Sequence, residues 1–212
     1  SCVAFAVSSV ARTHLALECQ RIGLPTRFQP SDLSRQYLFS CGGGTCRRGW
    51  RLSEAVAFLA DRGVPDEPCM PYAAAEGVDI PCAQACSDVG NRLVQGIQAR
   101  QVTRGFVDVE AIKAAVMKGP VVTNMILFED LSYYESGVYK YVEGRQLGSH
   151  AVVIVGWDDD DESWIVRNSW GPGFGDGGYF RVSRNDSSLL LGRYAWSFDM
   201  SAAANARTCA EL

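Results

Sequence analysis

Histidine is scarce in this sequence, with only two among 212 residues, so any imidazole chemistry falls to His14 or His150. Basic residues form no extended run, and the formal net charge is −4. Binding of nucleic acid needs a basic surface that displaces counterions from phosphates. We therefore expect no nucleic-acid partner.

Long apolar runs are also missing. Stretches such as residues 3–7 and 151–155 are far shorter than the roughly 20 residues that span a bilayer, so we expect no membrane partner. No signal peptide is visible, but secreted proteins lose theirs on maturation. With 47% hydrophobic and 21% charged residues, the composition is that of a soluble globular protein with one sizeable domain or two lobes.

Cysteine, by contrast, is abundant, with eight residues. Such a number predicts a disulfide framework and a secreted, periplasmic or lysosomal-type compartment. Zinc is the alternative, with Cys41, Cys46, Cys82 and Cys86 as ligands, but these pairs lack the tight spacing of a zinc ribbon and no histidine is near. The cysteines other than Cys2 are Cys19, Cys41, Cys46, Cys69, Cys82, Cys86 and Cys209.

Hydrophobic periodicity changes character near residue 120. Before it, helices are predicted over residues 1–21, 51–62 and 109–118, whereas residues 40–49 and 66–90 are predicted to be irregular. After it come short runs rich in Val, Ile, Tyr and Trp, which predict strands. These strands are expected at residues 121–128, 137–142, 150–157, 163–168 and 178–182, with the acidic residues 158–162 in a solvated turn.

The pattern predicts an α+β protein with a helical lobe over residues 1–100, a β lobe over 101–199 and a C-terminal tail over 200–212. A nucleophile at Cys2 would come from the first lobe, and its base, His150, from the second.

Calcium binding at the acidic turn over residues 158–162 is an alternative to a merely solvated turn, but the turn lacks the ligand spacing of an EF-hand.

Three residue types that suit acyl transfer follow one another along the chain. Cys2 begins a predicted helix, whose positive end stabilises a thiolate. His14 lies 12 residues further along that helix, roughly 18 Å away at about 1.5 Å per residue, so His150 is the candidate base. Asn168 can orient its imidazole through the side-chain carbonyl, and Trp170 can cover that hydrogen bond.

These residues lie in segments that resemble the papain-like cysteine peptidases. SCVAF at residues 1–5 is similar to the nucleophile segment of that family, GSHAVVIVGW at 148–157 to its histidine segment, and VRNSWGPGFGDGGYFRV at 166–182 to its asparagine segment. YLFSCGGGTCRRGW at 37–50 and GVPDEPCMPY at 63–72 are similar to its Cys/Gly-rich stretch and a following loop. The resemblance covers residues 1 to about 200, in order.

The resemblance implies a two-lobed fold with a helical left lobe, an antiparallel β-sheet or barrel as right lobe, and an active-site cleft between them. It implies that Cys2 attacks a peptide carbonyl, that His150 protonates the leaving amine and then activates water, and that Asn168 holds the imidazole. The backbone N–H of Cys2 would donate to the oxyanion. No metal or other cofactor is implied.

Substrate-binding residues follow from the same resemblance. Gly49 would pair with an extended peptide backbone. Trp50 and Ala151 would wall the pocket for the second residue before the scissile bond, and Trp196 would form its base. The pocket would then be shallow and favour small or medium apolar side chains. Ser149 and Trp170 complete the expected substrate-binding set.

The sequence departs from the family pattern at several positions. The oxyanion-hole glutamine of the family lies six residues before the nucleophile, outside this sequence, and roughly 20 further residues are expected before Ser1. Val3 stands where an aromatic residue is usual, and Phe174 replaces a second tryptophan. The resemblance implies that Cys41 pairs with Cys82 or Cys86, and that Cys46 and Cys69 pair with the remaining thiols, since the family's cysteine upstream of the nucleophile lies outside this sequence.

The function that the resemblance implies is thiol-dependent endopeptidase activity on proteins or peptides. Two alternatives remain open: a transpeptidase or peptide cyclase that uses the same three residues, and a catalytically impaired peptide-binding module. A propeptide or protein inhibitor is an expected partner, and the protein is expected to be a monomer.

Overall fold

The structure is a computed structural model that describes residues 1–23, 32–73, 77–200 and Cys209. The described chain forms two compact units. The first contains Ser1, residues 3–100, residues 198–200 and Cys209. The second contains Cys2 and residues 101–197, so Cys2 groups with the strands rather than with the helix on which it lies. Most of the predicted C-terminal tail lies outside the described residues.

The first unit is built on helices. They are α1 (Cys2–Arg21), α2 (Arg35–Cys41), α3 (Leu52–Arg62) and the short α4 (Val89–Arg92). Predicted helices at residues 1–21 and 51–62 are confirmed to within a residue. The sequence did not reveal α2, which is short. Ser34 precedes it as the N-cap, and its side chain accepts a hydrogen bond from the Tyr37 N–H.

Among the described residues, α1 is the one helix long and apolar enough to cross a membrane by length and composition. The length of continuous apolar runs does not reveal this property, because serine and threonine interrupt the apolar residues of α1. However, 56% of the 18-residue window that meets the criterion is buried inside the protein. The core helix of a soluble protein satisfies the same criterion.

Three disulfides are present in the described chain, and all lie in the first unit. They join Cys19 to Cys209, Cys41 to Cys82, and Cys69 to Cys86. The predicted disulfide framework is confirmed, and the zinc alternative is wrong because three of its four ligands are oxidised. Cys2 and Cys46 are free thiols. The backbone N–H of Cys46 donates to the carboxylate of Asp79 at 2.6 Å.

Strands dominate the second unit, joined by helix α5 (Val109–Val116). The sheet order is β1-β7-β2-β4-β5-β6-β3. The β2–β4, β2–β7, β4–β5 and β5–β6 pairs are antiparallel, whereas β3 and β6 are parallel. The strands are β1 (Ile97–Arg104), β2 (Val121–Phe128), β3 (Val138–Tyr139), β4 (Gln146–Asp158), β5 (Ser163–Arg167), β6 (Tyr179–Ser183) and β7 (Tyr194–Met200).

Strand β4 is the longest, with 13 residues, and its middle is buried from His150 to Ile154. Antiparallel neighbours β2 and β5 flank it on both sides. Continuous burial explains the apolar run AVVI at residues 151–154, whereas the Val155 that follows it is exposed. His150 begins the buried stretch, and pairing with Met125 of β2 sets the position of its backbone.

The acidic turn after β4 is held by ion pairs. The carboxylate of Asp159 accepts from Lys113 at 2.7 Å and pairs with Arg184 at 2.8 Å. Hydrogen bonds from Lys113 and then Arg184 lower the pKa of Asp159 to about 2. Arg181 pairs with Asp158 and Asp161. The predicted turn is confirmed, but three of its five acidic side chains, those of Asp158, Asp159 and Asp161, pair with cationic side chains.

Candidate active site

Cys2 is the first residue of α1, where the backbone N–H groups of the first turn have no partners within the helix. The first turn contains no acidic side chain, and the N-cap Ser1 makes no side-chain hydrogen bond to it. The positive end of the helix dipole is therefore not neutralised by a neighbouring carboxylate. This is a favourable position for a thiolate.

The pKa of Cys2 is about 7, lower than the ordinary thiol value of 9.0. Burial acts against this shift, because it raises the pKa by disfavouring the charged form. A hydrogen bond to His150, the charge of His150 and a hydrogen bond from the backbone of Ala151 outweigh burial and lower the pKa. The surroundings of Cys2 thus favour the thiolate in spite of burial.

His150 has a buried side chain, 3% exposed, and pairs with Met125 across β2 and β4. Its Nε2 lies 2.8 Å from Oδ1 of Asn168. Because this oxygen also accepts the backbone N–H of Ser169 at 2.8 Å, the Oδ1 atom acts as an acceptor and His150 Nε2 must carry the hydrogen. Nδ1 is then the ring nitrogen left to exchange a proton with the thiol of Cys2.

Asn168 follows the last residue of β5 and is 8% exposed. Its backbone N–H donates to the Gly178 carbonyl at 2.9 Å. Within the described residues, its buried Nδ2 has no hydrogen-bond partner. If the amide were flipped, its own N–H groups would point at two other donors, His150 Nε2 and the Ser169 N–H. The two accepted bonds thus fix the orientation of the amide.

Trp170 packs on the imidazole of His150, with ring centroids 5.2 Å apart and an angle of 32° between the planes. The indole is 40% exposed, and because it packs on the imidazole it separates one side of that ring from solvent. Phe174, which replaces the second tryptophan of the family pattern, contacts Trp170 edge-on at 4.9 Å. Its ring also packs against Tyr134 and Phe180. These contacts hold Phe174 in place against Trp170.

The backbone of Ala151, in β4, hydrogen-bonds to the sulfur of Cys2, so this strand passes beside the thiol. Opposed residues in antiparallel strands share a face, and so do residues two apart. Asn124 lies opposite Ala151 and Val122 lies opposite Trp196. Three of the expected substrate-binding residues, Ser149, Ala151 and Trp196, therefore share one face of the sheet.

Asn124 lies on the same face and was not identified from the sequence. Its Nδ2 donates to Ser149 Oγ at 2.9 Å. The residue is half-buried and adds an amide to this face. The position of Asn124 opposite Ala151 follows only from the β2–β4 register, because the sequence around residue 124 does not indicate which strand pairs with it.

Gly49 and Trp50 belong to the first unit. The N–H of Gly49 donates to the Thr45 carbonyl at 2.8 Å, and its carbonyl accepts the Thr45 N–H at 3.2 Å. Pairing of Gly49 with a peptide substrate, as expected from the sequence, would require these bonds to open or be shared. Trp50 packs edge-on against Phe39 and Phe58, and its part in a substrate pocket remains a prediction.

The fold is that of the papain-like cysteine proteases. A proCathepsin B S9 structure from Trypanosoma congolense superposes with a TM-score of 0.77 at 26% identity, covering 95% of this chain and 69% of that one. The bromelain protease from Ananas comosus, solved in complex with the E64 inhibitor, gives a TM-score of 0.67 at 27% identity over 94% of this chain and 89% of its own.

The sequence match leads to the same class. Residues 1–197 match the papain family cysteine protease pattern, and the chain belongs to this family. It is 39% identical over 158 residues to Cathepsin B-like CP3 of Giardia intestinalis, covering 71% of this chain and 52% of that protein. Cathepsin B-like CP2 of the same organism is 37% identical over 180 residues, covering 81% and 59%. The chain thus spans little more than half the length of these relatives.

Proposed function

We propose that the protein is a thiol peptidase in which Cys2, His150 and Asn168 hydrolyse peptide bonds. The observation that carries the proposal is the chain of two hydrogen bonds from Asn168 Oδ1 through His150 to the Cys2 thiol. A nucleophile, a base and a group that orients the base are the parts that covalent acyl transfer needs.

In the proposed reaction, the Cys2 thiolate attacks the carbonyl carbon of the scissile bond while His150 holds the thiol proton on Nδ1. His150 donates this proton to the leaving amine as the C–N bond breaks, and a thioester on Cys2 remains. A water molecule then loses a proton to His150 and attacks the thioester carbonyl. The acid product leaves, and the proton on His150 restores the thiol–imidazole pair.

The start of α1 supplies part of the electrostatic stabilisation. The backbone N–H of Cys2 is one of the unpaired amides of the first turn. We propose that it donates to the oxyanion that forms on the attacked carbonyl. Because this donor lies on the same residue as the nucleophile, the geometry of attack also brings the oxygen to it.

The sheet face that carries Ser149, Ala151 and Trp196 is the proposed surface for the substrate residues that precede the scissile bond. Trp196 carries a large ring on this face, opposite Val122 of β2 and two residues along from the row of Asn124 and Ala151. A large ring at the base of a pocket leaves little depth. We therefore retain the preference for small or medium apolar side chains, which a profile dominated by phenylalanine or arginine in a peptide library would overturn.

The proposed substrates are proteins or peptides in a secreted or lysosomal-type compartment, in keeping with three disulfides. Two structural neighbours support propeptide or inhibitor binding as a proposal: one is a proform and the other an inhibitor complex. The protein is proposed to act as a monomer, which the mass of the purified protein in solution tests.

The proposal is tested by covalent labelling of the protein expressed from its complete gene. A thiol-directed peptide epoxide should modify Cys2 alone and abolish hydrolysis of a fluorogenic peptide in proportion to labelling. Cys46→Ala should label like the wild type, and Cys2→Ala should not label. Absence of an adduct on Cys2 in the folded protein would refute the proposal. Product masses that show joined or cyclic peptides instead of hydrolysed ones would assign transpeptidation.

A further inference from the structure

A short polar segment follows β6 and has no part in the proposed catalysis. It reads Asn185-Asp186-Ser187 and is the one Asn-x-Ser/Thr triplet in the sequence. Such a triplet, with a middle residue other than proline, is the acceptor for N-linked oligosaccharides in secreted proteins. The other asparagines of the chain lack a serine or threonine two residues later.

Asn185 is exposed in a turn between β6 and a 3-10 helix (Ser187–Leu189). Its Nδ2 donates to the exposed carboxylate of Glu162 at 2.8 Å, and its backbone N–H donates to Ser183 Oγ at 3.3 Å. The side-chain amide has two N–H groups. Attachment of a sugar uses one of them, so the other still donates to Glu162 and the turn keeps its contacts.

The remaining residues of the triplet leave its outer side open. The carboxylate of Asp186 faces the protein, where it accepts the Tyr141 N–H at 2.7 Å and the Ser188 N–H at 3.0 Å. The Ser187 side chain is exposed. In the described part of the chain, no hydrogen bond engages its hydroxyl. The fold therefore accommodates a bulky group on Asn185 without repacking.

Disulfide bonds provide the second argument, because they place the chain in an oxidising compartment during folding. The endoplasmic reticulum, where disulfides form in eukaryotes, is also the compartment in which oligosaccharides are transferred to asparagine. Three disulfides in the described chain and an exposed acceptor in a turn are thus consistent with one route of synthesis.

We propose that Asn185 is an N-glycosylation site. The co-reactant is a lipid-pyrophosphate-linked oligosaccharide, and the catalyst is a transferase of the secretory pathway. A C–N bond forms between the anomeric carbon and Asn185 Nδ2, while the bond from that carbon to the pyrophosphate oxygen breaks. The lipid pyrophosphate leaves with the bonding electron pair, and Nδ2 loses one proton to the transferase.

The glycan would stand far from the candidate active site. Glu162, the partner of Asn185, lies in the turn that follows Asp158 at the end of β4, and His150 lies eight residues earlier on that strand. At about 3.3 Å per residue, the separation along β4 is roughly 26 Å. We therefore expect peptide hydrolysis to be the same with and without the glycan.

The test is secretion of the full-length protein from a eukaryotic host and mass spectrometry of the tryptic peptide 185–193. The wild type and Ser187→Thr should carry a glycan that an N-glycosidase removes, converting Asn185 to aspartate. Asn185→Gln and Ser187→Ala should lose it, and Asn91→Gln, at an exposed asparagine outside the triplet, should keep it.

Unmodified Asn185 as the main species of the secreted wild type would overturn the proposal, as would a glycan that persists in Ser187→Ala. The proposal is independent of the peptidase function. Glycosylated protein without hydrolytic activity would leave this inference standing and contradict the function, whereas active protein with a bare Asn185 would do the reverse.

Discussion

The two free thiols of the protein have opposite environments. Cys2 has its pKa lowered to about 7 despite burial, because His150 and the backbone of Ala151 stabilise the thiolate. A hydrogen bond to the Asp79 carboxylate, burial and the negative charge of Asp79 all raise the pKa of Cys46. Thiolates and not thiols react with alkylating agents, so pH should separate the two residues.

We expect the rate of alkylation of Cys2 by iodoacetamide to reach half its maximum near pH 7. In His150→Ala the midpoint should move to higher pH, because burial still raises the pKa of Cys2 and the contacts of His150 that lower it are lost. Alkylation of Cys46 should become fast only at higher pH. Peptide mapping after timed alkylation at several pH values measures all three. A midpoint for Cys2 that is unchanged in His150→Ala would contradict the assigned pair.

The same pKa shift affects stability. The pKa of Cys2 is about 7 in the folded protein and the ordinary thiol value is 9.0, so the thiolate favours the folded state. This contribution is fully present above the unfolded pKa and is lost as pH falls through 7. The difference in unfolding free energy between wild type and Cys2→Ala should therefore shift in favour of the wild type between pH 6 and about pH 9, as measured by urea unfolding.

Asn168→Ala should lower kcat about 10²-fold with little change in KM, because the imidazole would no longer be held by Oδ1 and small misplacements of catalytic groups are costly. Trp170 would still pack on the His150 ring. Steady-state kinetics on a fluorogenic peptide test this, with Asn91→Gln as a control at an exposed asparagine. An unchanged kcat would mean that the imidazole is oriented by other contacts.

At the scale of elements, helix caps differ in how much they should matter. Ser34 caps α2 by accepting the Tyr37 N–H at 3.0 Å, and its buried hydroxyl donates to the Met70 carbonyl at 2.6 Å. Asp108 caps α5 through the Ala111 N–H at 2.9 Å but is only half-buried. Ser34 thus serves two partners, one of which is the buried Met70 carbonyl, whereas Asp108 serves one.

Ser34→Ala should destabilise the protein by about 2–3 kcal/mol, as the sum of a lost cap and an unsatisfied buried carbonyl. Asp108→Ala should cost about 1 kcal/mol, the value of a cap alone. Urea unfolding of the two variants measures the comparison. Equal losses would show that the Ser34–Met70 hydrogen bond contributes little.

The prediction of elements from the sequence succeeded where burial is continuous. The strand predicted at residues 121–128 is confirmed as β2, and those near β4, β5 and β6 are confirmed within a few residues. β1 and β7 were missed, since IQARQVTR carries mainly polar residues and YAWSFDM includes a charge. Only neighbouring strands define these two segments as part of the sheet. The strand predicted at 137–142 shrinks to two residues, Val138–Tyr139.

At the scale of the whole molecule, the three disulfides close loops of very different length. Cys19 and Cys209 are 190 residues apart, Cys41 and Cys82 are 41 apart, and Cys69 and Cys86 are 17 apart. A disulfide stabilises mainly by reducing the entropy of the unfolded chain, and longer loops gain more. The longest bridge should therefore contribute the most.

Removal of Cys19–Cys209 by double substitution to alanine should cost about 5 kcal/mol, against about 4 for Cys41–Cys82 and about 3 for Cys69–Cys86. Cys46→Ala, at a free thiol, should change stability little. Equilibrium unfolding in urea gives the order. A smaller cost for Cys19–Cys209 than for Cys69–Cys86 would show that the unfolded chain is not the state these bridges constrain.

The residue types of the candidate site were readable from the sequence alone, because nucleophilicity, basicity and hydrogen-bonding capacity belong to the side chains of Cys2, His150 and Asn168 themselves. Family motifs, the main helices and the need for disulfides were also readable, since they depend on local patterns and composition. Only the tertiary structure decided that Cys41 pairs with Cys82, that Asn124 contacts Ser149, and that the Cys2 thiol ionises near neutral pH. These properties depend on residues that are distant in sequence, and folding alone brings them within contact distance.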